Sequence, residues 1–178
     1  IGGVLDVHTR DGNLYNHQVT MGTSLLAANF TAEGPISKGK SSYLISGRYF
    51  WGADALRAFS RAAKRNNNRD GEVDYGVRDL NFKLNQQVGE KGRLYLSVYH
   101  GVDDYANLSE QRDSVTILTQ SGTVFDYRAE QKRKEDFNWG NTVVALRYNH
   151  EISDRFFGNF RLSYSDMLVR ANFERSDS

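Results

Sequence analysis

Cysteine is absent from this 178-residue sequence, and proline occurs only once. Disulfide bonds and thiolate metal sites are therefore excluded. The scarcity of proline suits long β-ladders, because proline has no backbone N–H to donate to a neighbouring strand. No run approaches the roughly eighteen apolar residues that a transmembrane helix needs. A membrane β-barrel is not excluded by this absence, since only every second residue of its strands meets lipid.

An excess of charge of one sign is also lacking. The sequence has 23 lysines and arginines against 22 aspartates and glutamates, a formal net charge of +1. We therefore expect no nucleic acid among the partners. The histidines, at positions 8, 17, 100 and 150, do not show the paired spacing of a zinc-binding helix. With no catalytic constellation in view, we expect neither an enzyme nor a cofactor or metal site.

The clearest pattern is an alternation of apolar and polar residues between positions 141 and 165. Successive side chains of a strand point to opposite faces, so each arm of this hairpin has an apolar and a polar face. The apolar parity comprises Thr142, Val144, Leu146 and Tyr148, then Phe156, Gly158, Phe160, Leu162 and Tyr164. Each arm is about ten residues long, the length of a membrane-crossing strand, and its apolar parity ends in tyrosine. These features are typical of an outer-membrane barrel.

The same alternation predicts six antiparallel strands. They cover residues 18–33, 42–51, 75–88 and 93–102, followed by the two arms of the hairpin. The connections alternate between short and long, and the long ones cover residues 53–74 and 103–136. Bacterial outer-membrane barrels have short periplasmic turns and long outer loops, so we predict that both long segments are extracellular loops.

Three local signals lie within the connections. Pro35 is predicted to end the first strand, because proline cannot continue a ladder. Residues 53–64 are predicted to form a short basic helix. Residues 115–118 are predicted to add a small hairpin strand outside the membrane.

Six strands cannot close a barrel of this kind, whose smallest members have about eight. We therefore predict an all-β fold that is a sector of a larger transmembrane barrel. We also expect both ends of the sequence to be cut points within a longer protein.

Three stretches resemble TonB-dependent outer-membrane transporters. Residues 2–12, GGVLDVHTRDG, resemble the final strand of the plug domain of this family. Residues 26–36, with a Glu-Gly-Pro-Ile turn, resemble the first barrel strand and the first periplasmic turn. Residues 94–101, LYLSVYHG, are similar to a strand that is common in the Bacteroidota branch, which includes the SusC-like transporters.

The resemblance implies a barrel of about twenty-two strands that encloses a folded plug. Residues 1–13 would be the C-terminal end of the plug, and residues 14–178 the first strands of the barrel. The motif residues of the plug end are Gly2, Gly3, Asp6 and Arg10. The implied function is TonB-energised uptake of a bulky nutrient, a siderophore, glycan or peptide, across the cell outer membrane. The implied partners are outer-membrane lipid, lipopolysaccharide, a surface lipoprotein or larger envelope complex, and TonB through a segment that is not present here.

Four basic residues fall on the polar parity of their strands. They are Arg48, Lys83, Arg147 and Arg161. A charge on this parity meets a hydrated barrel lumen, whereas a charge on the other parity would meet lipid. Two interpretations stay open: these residues hydrate the lumen or pair with plug carboxylates, or some of them line a substrate path.

Residues 53–74 contain two weaker patterns. The first half of a calcium loop is matched by Asn66, Asn68, Asp70 and Gly71. Val77 stands where the closing glutamate should be, so an asparagine-rich loop tip is the default expectation. The basic residues between positions 57 and 69 either contact phosphates of lipopolysaccharide or form a solvated face.

Two other functions are compatible with the sequence. The chain could belong to a structural or accessory barrel in a cell-envelope complex, or it could be a soluble all-β binding domain. A plug domain ahead of the barrel strands would favour the transporter.

Overall fold

The computed structural model describes residues 10–65, 69–118 and 124–177. They form β1 (Gln18–Thr23), β2 (Ala27–Ser37), β3 (Ser41–Phe50), α1 (Ala53–Arg65), β4 (Arg69–Val88), β5 (Gly92–Leu118), β6 (Val124–Ser153) and β7 (Phe156–Asp177). Each strand pairs antiparallel with the next, so the order of strands in the single sheet is the order in the chain. The prediction of an all-β, antiparallel fold is confirmed. The sheet is open, with β1 and β7 at its edges.

The first predicted strand, 18–33, is two strands in the structure. Ser24 begins a tight turn, in which its N–H donates to the carbonyl oxygen of Ala27 at 2.8 Å. β1 then runs antiparallel to β2, with Met21 opposite Phe30. The turn also changes the parity, so that Met21 rather than Gly22 shares a face with Phe30. The prediction of one continuous strand was wrong because the apolar alternation does not report this reversal.

Pro35 lies inside β2 and does not end it, contrary to the prediction. It is opposite Ser42 of β3, and the register shifts between Pro35 and Ser37. Proline is tolerated at such an irregularity, because a bulge leaves a residue without a regular ladder partner. The turn follows at residues 38–40, where Gly39 has a φ of 73°. Glycine adopts this left-handed conformation without the steric cost that a side chain would add.

The segment 103–136 is not the polar loop that was predicted. β5 continues to Leu118 and β6 begins at Val124, and the two strands pair along this whole length. At about 3.3 Å per residue, the 30 residues of β6 span roughly 100 Å, several times the thickness of a bilayer core. We call residues 103–118 of β5 and residues 124–136 of β6 the hairpin extension. Its polar side chains occupy both faces, so the composition resembles that of a loop.

The helix predicted within residues 53–74 is confirmed as α1. Its sequence, ADALRAFSRAAKR, has no glycine, proline or β-branched residue to interrupt it. Arg57 and Arg61 pair with Asp74 and Glu72 of β4 at 3.1 and 3.0 Å, so α1 packs against the part of β4 that extends past β3. The rest of the predicted loop is mostly the start of β4. None of the described helical residues makes a helix long and apolar enough to span a membrane.

The register collects the apolar residues of five strands on one side of the sheet. One row contains Tyr43, Leu84, Leu96, Leu146 and Leu162, and the next contains Ile45, Phe82, Val98, Val144 and Tyr164. We call this side the apolar face and the opposite side, which carries Lys83 and Arg147, the polar face. The end with the short turns 38–40 and 89–91 is called the lower end.

The two faces exchange character toward the upper end of β4 to β7. There the polar face carries aromatic residues, and the apolar face carries charges. The aromatic residues are Tyr75, Tyr105, Phe137, Trp139 and Phe173; the charged residues are Asp74, Asp104, Asp136 and Arg170. The ladders of β4 with β5 and of β5 with β6 have no register shift, so the exchange comes from the sequence and not from a bulge.

The sheet is a single layer with little interior. Leu44 is the one buried apolar side chain among the described residues. The accessible surface is 13311 Å², whereas a compact protein of this mass would expose roughly 8,800 Å². On the apolar face, Leu162 of the edge strand β7 is 72% exposed and Leu146 of the neighbouring β6 is 39% exposed. The apolar face therefore needs a covering of lipid or of another protein.

The hairpin extension should be most protected from hydrogen exchange at intermediate pH. Arg112 lies opposite Glu130 and donates to it at 3.2 Å, which lowers the Glu130 pKa below its ordinary 4.5. A carboxylate with a lowered pKa stabilises the fold above its ordinary pKa and loses that effect as the pH falls through the lowered value. Lys134 donates to Asp136, which raises the Lys134 pKa above 10.5, so its contribution is lost only in strong alkali.

Exchange rates corrected for intrinsic chemistry should therefore rise below about pH 4 in the hairpin extension. Glu130→Gln should reduce that acid-side change and leave the rates near neutrality slightly faster. Exchange as fast as that of an unstructured peptide at every pH would contradict the strand pairing.

Candidate functional site

A short segment of chain lies against the lower polar face of β2, β3 and β4. Residues 10–14, which we call the docked segment, precede β1. Arg10 Nη1 is 2.8 Å from Glu33 Oε1, and Asp11 Oδ1 is 3.3 Å from Lys83 Nζ. The backbone N–H of Asn13 donates to the second carboxylate oxygen of Glu33 at 3.0 Å. These contacts attach the docked segment to two strands at once.

The charged groups beneath the docked segment are buried. Glu33 is 4% exposed and Lys83 is 8% exposed, in a sheet that is otherwise largely open to solvent. Ser41, Ser42 and Asn85 next to them are also buried. A buried charge that loses its partner costs several kcal/mol, so Glu33 and Lys83 depend on the residues of the docked segment.

Gly12 allows the docked segment to approach the sheet this closely. A Cβ at Gly12 would overlap with the backbone carbonyl of Tyr43 in β3. The carbonyl oxygen of Leu14 accepts a hydrogen bond from Gly39 N–H at 3.0 Å, which ties the segment to the β2–β3 turn. The side chain of Asn13 accepts bonds from the N–H groups of Tyr15 and Asn16, an Asx turn that redirects the chain toward β1.

The four basic residues that the sequence assigns to the polar parity, Arg48, Lys83, Arg147 and Arg161, lie on the polar face. They do not form one cluster. Arg48 binds Asp79 through two nitrogens, at 2.9 and 2.7 Å. Lys83 binds the docked segment. Arg147 and Arg161 stand directly opposite each other on β6 and β7.

The Arg147–Arg161 pair places two like charges side by side. The guanidinium of Arg147 lies over the Tyr95 ring, 4.1 Å from its centroid, in a cation–π contact. Its Nε is buried without a hydrogen-bond partner among the described residues. Like charges in directly opposite positions destabilise a strand pair. The arrangement is therefore suited to hold an anion, a carboxylate or a phosphate, between or above the two guanidinium groups.

The plug-end motif can be followed only in part. Gly2, Gly3 and Asp6 lie outside the described residues. Arg10 is described, and it forms the ion pair with Glu33.

The histidines and the calcium-loop pattern do not form a site in the described residues. His17, His100 and His150 each contact a neighbouring hydroxyl group, of Tyr43, Thr142 and Tyr148. His8, Asn66 and Asn68 lie outside the described residues. In residues 10–65, 69–118 and 124–177, no three histidine or carboxylate side chains converge on a possible metal site.

The carboxylates of Glu72 and Asp74, which follow the calcium-loop pattern, are bound by α1. Arg57 and Arg61 donate to them, so these two basic residues face β4, and the Arg61 side chain is still 65% exposed.

Sequence reasoning missed the partners of the basic residues and the upper aromatic surface. In the sequence, Glu33 stands out only as the first residue of the Glu-Gly-Pro-Ile turn. The aromatic surface includes two edge-to-face pairs, Phe50 with Tyr75 at 5.7 Å and Phe137 with Phe173 at 5.3 Å. The alternation of apolar residues at 73, 75 and 77 with charges at 72, 74 and 78 could have revealed it, had residues 53–74 not been taken as a loop.

No family model, no curated protein and no solved structure matches this chain. The functional conclusion accordingly depends on the chemistry of the two faces and of the docked segment.

Proposed function

We propose that the chain is a sector of a plugged β-barrel in the bacterial outer membrane and that the barrel is a TonB-dependent transporter of a bulky nutrient. The observation that carries the proposal is the two-sided sheet. Apolar rows run without a break across β3 to β7 on one face, and charged residues stand at the same levels on the other. Lipid would cover the first face and water the second.

The dimensions of the apolar rows suit a membrane. On β7 the apolar parity runs from Phe156 through Phe160 and Leu162 to Tyr164, and Asp166 ends it. A membrane strand of about nine to eleven residues, tilted by about 45°, crosses the hydrocarbon core. Tyr164 and Tyr148 lie toward the two ends of the fully apolar rows, where aromatic girdles are found in such barrels. A soluble domain would instead leave Phe160 and Leu162, exposed by 63% and 72%, in water.

The open edges of the sheet require additional strands. β7 has 22 residues and a partner on one side only. Unpaired backbone groups within hydrocarbon cost several kcal/mol each, so a membrane sheet must close. Strands beyond these seven, from the same chain or from another, would complete the barrel.

The docked segment supports a plugged barrel over an open structural one. It occupies the face that would form the inner wall and is attached there by ion pairs to the buried side chains of Glu33 and Lys83. This is the position expected for the end of a plug that leads into the first strand. The resemblance of residues 2–12 to the family's plug supports the same assignment.

The charges of the inner wall favour an anionic group on the substrate or the plug. Arg93, Arg147 and Arg161 lie at the lower end of the polar face, at levels without an aspartate or glutamate in β5 to β7. The upper aromatic surface on the same side offers rings that can pack against a bulky ligand. We assign these groups a role in binding and none in catalysis.

The full-length protein should fractionate with the outer membrane and be released only by detergent. A cysteine at Asp113, in the hairpin extension, should react with an impermeant thiol reagent on intact cells. Cysteines at Lys38, Lys91 and Asp154, in the short turns, should react only after the outer membrane is opened. The reverse pattern would invert the topology, and recovery of a soluble protein would exclude the barrel.

Uptake separates a transporter from a structural barrel. Cells with and without the protein should be offered labelled ferric siderophores, glycans and peptides. A transporter should give accumulation of one class that depends on the protein and stops when the proton gradient is dissipated. Equal accumulation of all three classes in both strains would favour the structural barrel.

A further inference from the structure

Two adjoining concavities lie on the apolar face. The first is a groove of about 440 Å³ at β1 to β4, and its lining includes Met21, Phe30, Gly47 and Leu80. The second is a cleft of about 890 Å³ between α1 and the upper parts of β4 to β7. Tyr49 lines both. Because all these side chains belong to the parity of the apolar face, the groove and the cleft are neighbours on one side of the sheet.

The groove exists because Gly47 has no side chain to fill it, and its walls are apolar. Gly47 stands between Phe30 and Leu80 in one row, and the Phe30 ring leans toward the space above it. Met21 and Leu80 are 80% and 50% exposed, so the walls of the groove have no partner in the described chain. An acyl chain matches this lining in chemistry.

Each of the three aspartates that line the cleft above the groove already has a cationic partner, and one arginine remains. Asp74 is bound by Arg57 at 3.1 Å, Asp104 by Arg78 at 2.7 Å, and Asp136 by Lys134 at 3.0 Å. Asp104 also accepts a hydrogen bond from Asn138.

Arg170 on β7 lines the same cleft and is exposed. Its side chain makes no hydrogen bond or ion pair with another described residue. A planar guanidinium that is free to form two parallel bonds is suited to a phosphate.

We infer that the groove and the cleft form one binding site for a phosphorylated lipid of the outer leaflet. One acyl chain lies in the groove along Phe30 and Leu80, and the phosphate binds Arg170. The inference rests on the proposed function, because it places the apolar face in the membrane and the cleft at its outer surface. Tyr49, between the two parts, stands at the level where the lipid changes from chain to head group.

A matched pair of lipids tests the assignment. The full-length protein, purified in detergent, is titrated with lipid A and with the same lipid after removal of its phosphates. Lipid A should bind at least about tenfold more tightly, since a hydrogen bond to a charged group contributes about 1.5–3 kcal/mol. Arg170→Gln should abolish this preference. Arg155→Gln, which removes an exposed arginine from the β6–β7 turn at the other end of the strand, should retain it.

Three results would overturn the inference. They are equal binding of the two lipids, an unchanged preference in Arg170→Gln, and complete competition by inorganic phosphate, which would indicate a site for soluble anions. Heat-modifiable gel mobility checks that Arg170→Gln is folded. If the protein resides in the outer membrane with the expected sidedness but shows no phosphate preference, only this inference fails. If it is not in the outer membrane, the proposed function fails as well.

Discussion

Leu162→Arg should destabilise the full-length protein in lipid vesicles by roughly 2–4 kcal/mol, because it places a charge in the hydrocarbon near the middle of the apolar rows. Arg161→Leu, at the neighbouring position, should cost about 1 kcal/mol or less. The two residues lie at the same depth and point to opposite faces. Arg161 also faces Arg147 across the strand pair, so its removal relieves a repulsion between like charges.

Denaturant unfolding in vesicles, followed by heat-modifiable gel mobility, measures both costs. Leu84→Arg, in the same row as Leu162, should behave like Leu162→Arg. Equal damage by Arg161→Leu and Leu162→Arg would show that the faces are assigned wrongly or that Arg161 is held by an anionic partner. In the second case, a carboxylate-to-neutral substitution in the plug should restore the stability of Arg161→Leu.

Glu33→Ala should release the docked segment and cost about 1–3 kcal/mol, because it leaves the Asn13 N–H without its acceptor, whereas Arg10, whose side chain is 63% exposed, returns to water. The carboxylate of Glu33 receives both Arg10 and the backbone of Asn13, and its side chain is 5% exposed. Its loss leaves Arg10 without that partner and the N–H of Asn13 without an acceptor. The Lys83–Asp11 ion pair and the hydrogen bond from Gly39 to Leu14 then hold the segment.

Asp79→Ala is the matched control. It also removes a carboxylate with an exposed arginine partner from the polar face, but Asp79 and Arg48 both belong to strands of the sheet, so this pair does not attach the docked segment. An exposed ion pair of this kind contributes about 0–1 kcal/mol. Hydrogen exchange of the amides of residues 11–14 should accelerate strongly in Glu33→Ala and stay unchanged in Asp79→Ala. Similar effects of the two substitutions would mean that the docked segment is attached mainly by its backbone contacts with the β2–β3 turn.

Alternation predicted the lower half of the sheet because there each strand has one apolar and one polar face. Leu84, Leu96 and Leu146 fall in one row, and the sequence places all three on the apolar parity of their strands. The register follows, since a slip by one residue would turn each of these leucines to the other face. The same rule places Arg147 and Arg161 on the opposite side.

The hairpin extension could not be predicted in this way. In the hairpin extension both faces carry charges, so there is no apolar parity to detect. What pairs the strands is cross-strand chemistry, such as Glu110 opposite Lys132 and Arg112 opposite Glu130. Such pairs become visible only after the register is known, and a single sequence does not give it.

The candidate site was predictable in position but not in partners. The position of Lys83 on the polar parity of its strand places this charge on the polar face of the sheet. That Asp11, 72 positions earlier, reaches Lys83 depends on the path of the docked segment and on the close approach of Gly12. Lys83 and Arg161 therefore look equivalent in the sequence, although the first is buried and paired and the second is exposed.

In the proposed barrel, the exchange of polar and apolar character between the two faces would fix the depth of the sheet in the membrane. A displacement of one row along the strands, two residues or roughly 6.7 Å, would draw Asp104 and Arg170 toward the hydrocarbon. A displacement in the other direction would lift apolar residues near Leu162 toward water. A charge in hydrocarbon costs more the nearer it lies to the midplane, up to about 2–4 kcal/mol, so in the proposed barrel the sheet would resist vertical movement in both directions. The tip of the hairpin extension would then stand at a constant height above the lipid. A surface partner would find it always at the same distance from the membrane.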